Sequence, residues 1–245
     1  MPFIGFGTYA LRGTDGIEAI TSALELGYRH IDTAKMYGNE AEVAAAISQS
    51  GIPRQDIFIT TKLLPLSLVD VEAAIDQRLQ LLKTDYIDLL LIHWPPPSGV
   101  AAEMWQLMAA EQRAGVLHSI GVSNYSIEQI INLVKLTKVK PAVNQIELSP
   151  FTPQEDLRAF CQQQDIVIEA YSPLTQQTRL NHPLITDLAD KYERSPAQIM
   201  LRWCVQHGTV PLPKASTRRH QEDNLNIFDF QLNSDDMLQL DSLGD

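Results

Sequence analysis

Residues 57–93, IFITTKLLPLSLVDVEAAIDQRLQLLKTDYIDLLLIH, decide the fold. A short apolar run, 57–62, gives way to SLVDVEAAIDQRLQLL, whose apolar side chains recur three and four apart behind an opening Ser67. A second apolar run follows at 87–93. Two strand-length runs joined by one amphipathic helix read as a parallel βαβ unit, because the helix must carry the chain back before the second strand can lie parallel to the first. The same alternation extends in both directions. Strands are expected at 3–6, 28–32, 57–62, 87–93, 119–122, 142–147, 166–171 and 210–214, with helical patterns in TDGIEAITSALELG, AAEMWQLMAAEQRAG, SIEQIINLVKL and QEDLRAFCQQQ. Gly27, Gly51 and Gly115 stand where a left-handed C-cap closes a helix.

About eight βα units in 245 residues fit an α/β fold of the (β/α)8 TIM-barrel type, as one domain over 1–245, better than an open doubly wound sheet. Phe6-Gly7-Thr8-Tyr9 lacks the third glycine of a dinucleotide fingerprint and opens no helix, which disfavours a Rossmann site.

Composition narrows the function. Nineteen basic against thirty acidic residues give a net charge of −11, with neither sign gathered into a run. A general grip on nucleic acid or an anionic membrane needs a positive face, so neither partner is expected. The longest apolar runs stop near six residues, far short of the roughly 20 that cross a bilayer. MPFIGFGTYA has no basic segment ahead of an apolar one, so the cytoplasm is the expected location. A monomer is the expected state. Cys161 and Cys204 match no zinc or redox spacing and read as buried thiols.

In a barrel, chemistry gathers at the C-terminal ends of the strands. Asp32, Lys62 and His93 arrive there from three successive strands, and Tyr37 follows on the loop beyond Asp32. A cation near Tyr37 favours its phenolate, so its pKa is expected below the usual value of about 10, while Asp32 keeps Lys62 charged. Such a phenol is a general acid for carbonyl reduction. Taken singly, each residue also reads as a structural ion pair, a satisfied strand-end histidine or a rim aromatic; their convergence favours the chemical reading.

At these residues the chain resembles the aldo-keto reductase family, over almost its whole length. The matching segments, in order, are GFGTY, HIDTAKMYGNE, ITTKL, DYIDLLLIHWP, IGVSNY, VNQIELSP, YSPL, SPAQIMLRW and LPKASTRRHQEDNLNIFDF. The resemblance implies a catalytic tetrad of Asp32, Tyr37, Lys62 and His93. Tyr37 would donate the proton, Lys62 and Asp32 tune it, and His93 orient the carbonyl of an aldehyde or ketone. Hydride would come from a nicotinamide dinucleotide. By the same resemblance Ser123, Asn124 and Gln145 hold the carboxamide, Tyr171 stacks on the ring, Ser172 and Leu174 receive the pyrophosphate, and Thr8 and Asp32 belong to the cofactor contacts. Tyr9, Met36 and Trp94 line the substrate pocket.

LPKASTRRHQEDN places a strand-end lysine, two hydroxyls and two arginines where a helix begins, which suits capture of a phosphate. Lys214, Ser216 and Thr217 are thus candidates for the 2′-phosphate of NADPH. His220 stands where the family has an arginine and Ala215 where it has a serine, so Arg218 or Arg219 would substitute and NADH remains an alternative. Asp223 and Asn224 match the family's acidic-plus-amide pair over the adenine, with Asp one methylene shorter than the usual Glu.

The connections PPPSGV after strand four and PLTQQTRLN after strand seven are short, similar to bacterial diketogluconate-reductase-like members. The N-terminal floor hairpin and the closing C-terminal tail of the family are also expected to be absent. An open mouth with broad specificity for small carbonyls follows. Two rivals are a non-catalytic NADPH-binding accessory subunit, opposed by the complete tetrad, and a metal-dependent barrel hydrolase using His30, Asp32 and His93, opposed by Lys62 among the ligands. No metal is expected.

Overall fold

The computed structural model describes residues 1–65, 71–96 and 100–244. Eight parallel strands follow one another in chain order: β1 Phe6–Gly7, β2 His30–Asp32, β3 Phe58–Leu63, β4 Ile87–Ile92, β5 Leu117–Ser123, β6 Val143–Glu147, β7 Val167–Tyr171 and β8 Val210–Pro211. The seam closes through the backbone. Gly5 N–H donates to the Pro211 oxygen and Gly7 N–H to the Pro213 oxygen, each at 3.0 Å, which joins β8 to β1 as an eight-stranded α/β barrel.

The first and last strands are shorter than their sequence suggests. The strand expected at 3–6 pairs only from Phe6, and Phe3 is 75% exposed. The strand expected at 210–214 ends at Pro211, since Pro211 and Pro213 have no N–H to extend a regular ladder. Glycine is required at this seam because a Cβ on Gly7 would stand 2.9 Å from the Leu212 backbone oxygen, which cannot rotate away. Gly7→Ala is expected to cost roughly 1–3 kcal/mol, read as a lower urea midpoint at unchanged slope. Unaltered stability would mean that the seam opens freely.

The helices are α1 Gly13–Leu26, α2 Glu40–Ser50, α3 Val71–Leu82, α4 Val100–Ala114, α5 Ile127–Thr137, α6 Glu155–Gln163, α7 Pro183–Tyr192, α8 Pro196–Gln206, α9 Arg218–Leu225 and α10 Ser234–Asp241. Gly27, Gly51 and Gly115 take the left-handed cap conformation, with φ of 111°, 67° and 84°. Ser126 with Gln129, and Ser195 with Gln198, form reciprocal capping boxes that satisfy the first amides of α5 and α8. Residues 67–70 of the expected third helix, and 97–99 of the short connection after β4, lie outside the described residues.

Two apolar regions flank the sheet. The large one fills the space between strands and helices and buries Trp105 and Trp203. The small one, Leu89, Leu91 and Val143 with Phe58 packed on it, carries the alternate side chains of β3, β4 and β6. Above it the same inward-facing alternation becomes polar, with His30 and Asp32 on β2, Thr60 and Lys62 on β3, Gln145 on β6 and Glu169 on β7, all buried. The apolar layer is a floor for those groups. Cys161 and Cys204 are free and buried, and burial pushes their thiols up to about 11 and about 12. Among the described residues no helix is long and apolar enough to cross a membrane.

Candidate active site

Strand ends and one pinned loop assemble the polar cluster. Asp32 ends β2, Lys62 lies one residue from the end of β3, and His93 follows β4. Tyr37 closes a single 3-10 turn, Lys35–Tyr37, that Gly38 terminates with a φ of 63°. Asn39 ties this loop down, accepting from Thr33 Oγ1 at 2.8 Å and donating to the Thr8 and Leu11 backbone oxygens at 2.8 Å each. Lys62 Nζ, wholly buried, donates to both oxygens of Asp32 at 2.7 Å and to the Thr33 backbone oxygen at 2.9 Å, and stands 3.4 Å from the Tyr37 hydroxyl. The Tyr37 and His93 rings meet edge to face with centroids 6.0 Å apart. The structure thus brings Asp32, Tyr37, Lys62 and His93 together.

Burial opposes the charge on Lys62, but Asp32, Tyr37 and Glu169 together hold its pKa above the ordinary value. Tyr37 corrects the sequence expectation. Its pKa lies above, not below, that of a free phenol, because burial outweighs the pull of Lys62 and Asp32 adds to the rise. Asp32, held on both oxygens, cancels much of the ammonium field at the phenol. Tyr37 therefore keeps its proton near neutrality. Burial, with the repulsion of Lys62, pushes His93 down to about 4, so its imidazole is neutral near physiological pH. Its Nδ1 is buried without a partner among the described residues.

A cleft of about 590 Å³ opens over this cluster. Its outer wall is Tyr9, Met36 and Trp94, exposed by 61%, 49% and 45%, with Trp94 stacked on His93 at 12° and Tyr9 edge-on to Tyr37. Its polar side is a linked set. Ser123 Oγ donates to the Gln145 backbone oxygen at 2.9 Å and accepts from Asn124 Nδ2 at 3.0 Å. Asn124 Oδ1 accepts from the Tyr171 hydroxyl at 2.8 Å. Asn124 can do this because it adopts a φ of 63°, a left-handed conformation that asparagine tolerates. Ser172, Leu174 and Lys214 continue the lining.

The remaining expected positions lie elsewhere. Thr8 is turned away from the cleft, fully buried with Oγ1 donating to the Asp32 backbone oxygen at 2.9 Å, and so braces β2 from within. A second cleft of about 600 Å³ runs between the start of α1 and the segment after β8, lined by Arg12, Lys214, Ser216 and Arg218 among others, and Lys214 borders both clefts. Thr217 caps α9 by accepting the His220 N–H. Arg218 pairs with Glu25 and Glu222 on the surface, while Arg219 and His220 are exposed. Asp223 accepts from Ser195 Oγ at 2.5 Å, and Asn224 is buried; neither lines these two clefts.

The donor set fits a nicotinamide dinucleotide. A primary carboxamide needs an acceptor for its N–H groups, and Gln145 Oε1, whose own amide N–H groups are committed to Asp32 and Glu169, offers one at the edge of the cleft next to Ser123 and Asn124, with the half-buried Tyr171 ring beside them. Lys214, which joins the two clefts, provides a cation for phosphate oxygens in a chain that is acidic overall. The metal arrangement does not form. Lys62 occupies both oxygens of Asp32, His30 Nε2 is spent on Thr60 Oγ1 at 2.9 Å, and the described residues contain no group of three metal-ligating side chains.

Sequence reasoning missed Glu169, whose carboxyl lies beneath Asp32 and Gln145 in the barrel. The signal was present: in IVIEAY an acidic residue interrupts a buried strand two positions before Tyr171, on the same face. Arg12, beside the second cleft, was missed with no comparable signal.

Known proteins share the fold and much of the sequence of this chain. The Aldo/keto reductase family model matches residues 3–245. A glyoxal reductase of Bacillus subtilis (strain 168) is 38% identical over 246 residues, covering 99% of this chain and 89% of its own. The crystal structure of an aldo/keto reductase from Brucella melitensis superposes with a TM-score of 0.95 at 41% identity, over 99% of this chain and 95% of that one. The Bombyx mori aldo-keto reductase, solved in complex with NADP, gives a TM-score of 0.93 at 35% identity, over 99% of this chain and 89% of its own. With a match reaching from residue 3 to residue 245 and relatives this similar over nearly their full lengths, the chain belongs to the aldo/keto reductase family and is an NAD(P)H-dependent oxidoreductase.

Proposed function

We propose that this enzyme reduces small aldehydes and ketones to alcohols, with NADPH as its principal cofactor and Tyr37 as the proton donor. The observation that carries the reading is the buried Lys62 ammonium, locked on Asp32 and 3.4 Å from a phenol that faces the cleft. A reduced nicotinamide, when bound, would supply hydride for the carbonyl carbon. The chain's own residues do the rest. Tyr37 gives its proton to the carbonyl oxygen, and Lys62 stabilises the phenolate left behind, which is worth most in a site screened from water. His93, neutral, orients the carbonyl oxygen by a hydrogen bond without competing as an acid. In oxidation the same phenolate takes the proton back, so the step is reversible.

Ser123, Asn124 and Gln145 hold the carboxamide and Tyr171 supports the ring. Lys214 and Ser216 favour a 2′-phosphate, and NADH is the weaker alternative because His220 lacks the permanent charge and fork of arginine. The exposure of Tyr9, Met36 and Trp94 supports an open mouth and a broad small-carbonyl range, in keeping with similarity to a glyoxal reductase. Titrating NADPH and NADH and then following single-turnover loss of reduced-nicotinamide absorbance with small aldehydes tests the proposal. NADPH is expected to bind about tenfold or more tighter than NADH, and several aldehydes to turn over. A protein that binds neither dinucleotide is not this reductase.

A further inference from the structure

A second carboxyl group lies in the barrel beneath the proposed nicotinamide seat. Glu169 is wholly buried on β7, and its Oε2 accepts a 2.6 Å hydrogen bond from Gln145 Nε2. The same nitrogen donates to Asp32 Oδ2 at 2.8 Å. Both N–H groups of that amide are thus committed to carboxyl oxygens. Exchanging Nε2 for Oε1 would set a carbonyl dipole against the Asp32 carboxylate and, with the Glu169 proton on Oε1, which lies 3.5 Å from His30 Nε2, against the lone pairs of Glu169 Oε2, so the amide has one favoured orientation. Among the described residues Gln145 Oε1 has no partner, and Gln145 lines the cleft.

We propose that Glu169 is a positioning residue for the cofactor, which together with Asp32 fixes the Gln145 amide so that its acceptor oxygen is presented to the amide N–H of the nicotinamide carboxamide. The inference rests on the reductase reading above and adds a residue to it.

The surroundings suit a carboxyl that orients without adding charge. His30 and Asp32 face Glu169 from β2 and Lys62 from β3; β6 presents the neutral Gln145, and the β8 residue paired with Glu169 is Val210. Burial, and then the charge of Asp32, push its carboxyl up to about 8, so it holds its proton near neutrality. Asp32 and Lys62 then balance each other in the core. A neutral carboxyl still accepts through Oε2. His30 stays uncharged as well, pushed down to about 3 by burial and by Lys62, and meets Thr60.

The test compares two ligands: NADPH, and 2′-phospho-ADP-ribose, which has the same phosphates and adenosine but no nicotinamide. Dissociation constants would be measured by calorimetry for the full chain and for E169L, E169Q, Q145A and the E169L/Q145A pair. E169L, which keeps bulk but loses the acceptor, is expected to weaken NADPH about tenfold and to leave the fragment within about twofold. E169Q, which retains a carbonyl for Nε2, is expected to restore NADPH to within about threefold. In the Q145A background E169L is expected to change little, because nothing remains to orient. If E169L shows no cooperative melting, E169M takes its place. Equal loss for both ligands, an unchanged NADPH constant, or a full loss persisting in Q145A would overturn the proposal. Tight binding by the unaltered protein with an insensitive E169L removes only this inference, whereas no binding of either dinucleotide removes the reductase reading beneath it.

Discussion

Tyr37→Phe is expected to lower the rate of aldehyde reduction by about 10³-fold while leaving the NADPH dissociation constant within about threefold. Phenylalanine keeps the ring and its edge contacts with Tyr9 and His93, so the wall of the cleft survives. What disappears is the hydroxyl 3.4 Å from Lys62. The developing alkoxide must then take its proton from water, which lacks the adjacent ammonium to stabilise the base left behind. Because burial holds the Tyr37 pKa above that of a free phenol, the hydroxyl is protonated across the neutral range, and the loss should be nearly constant with pH there. Single-turnover measurement of cofactor oxidation decides the matter. Equal rates for the two proteins would end the proton-donor role.

Lys62→Met is the second large effect, and it reads in stability as well as rate. The ammonium is fully buried and makes three short contacts, two of them to Asp32, which is itself 3% exposed. Methionine fills a similar volume without the charge. Asp32 would keep only the Gln145 bond at its side-chain oxygens, and a buried carboxylate stripped of its partner costs roughly 3–5 kcal/mol unless it takes up a proton. Urea unfolding is expected to show a loss of about that size. The catalytic rate should fall by about 10³-fold or more, because nothing remains to stabilise the Tyr37 phenolate. Pairing Lys62→Met with Asp32→Asn should recover much of the stability and none of the rate. Recovery of both would show that the ion pair only holds the strands together.

Much of this molecule was legible beforehand because it depends on period and order. Short apolar runs alternating with amphipathic helices place a strand end at Asp32, Lys62 and His93, and parallel strands in sequence order bring those ends to one rim. The glycines at 27, 51 and 115 announced their helix ends because only left-handed backbone continues there. Ser123 at the end of β5, Asn124 just after it and Gln145 within β6 stand out as polar residues in otherwise apolar strands, which marked that set.

The remainder needed three dimensions. Thr8 looks like a cleft residue by position, yet its hydroxyl is turned into the Asp32 backbone, a choice made by the path of the β1 loop around Asn39. The phenol of Tyr37 has both a cation and a carboxylate for neighbours, and the sign of its shift depends on distances and burial that no spacing encodes. Glu169 shares an amide with Asp32, 137 positions earlier in the chain, because barrel closure folds β2 and β7 around one interior.

Periodicity and chain order are enough to specify the barrel, its strand order and the four side chains at its rim, because a repeated βα unit needs nothing more. Burial and contacts between distant residues settled which of those groups carry a proton, which hydroxyl turns inward and which second carboxyl meets Gln145. Those outcomes depend on burial and on hydrogen-bond distances of about 3 Å between residues far apart in the chain.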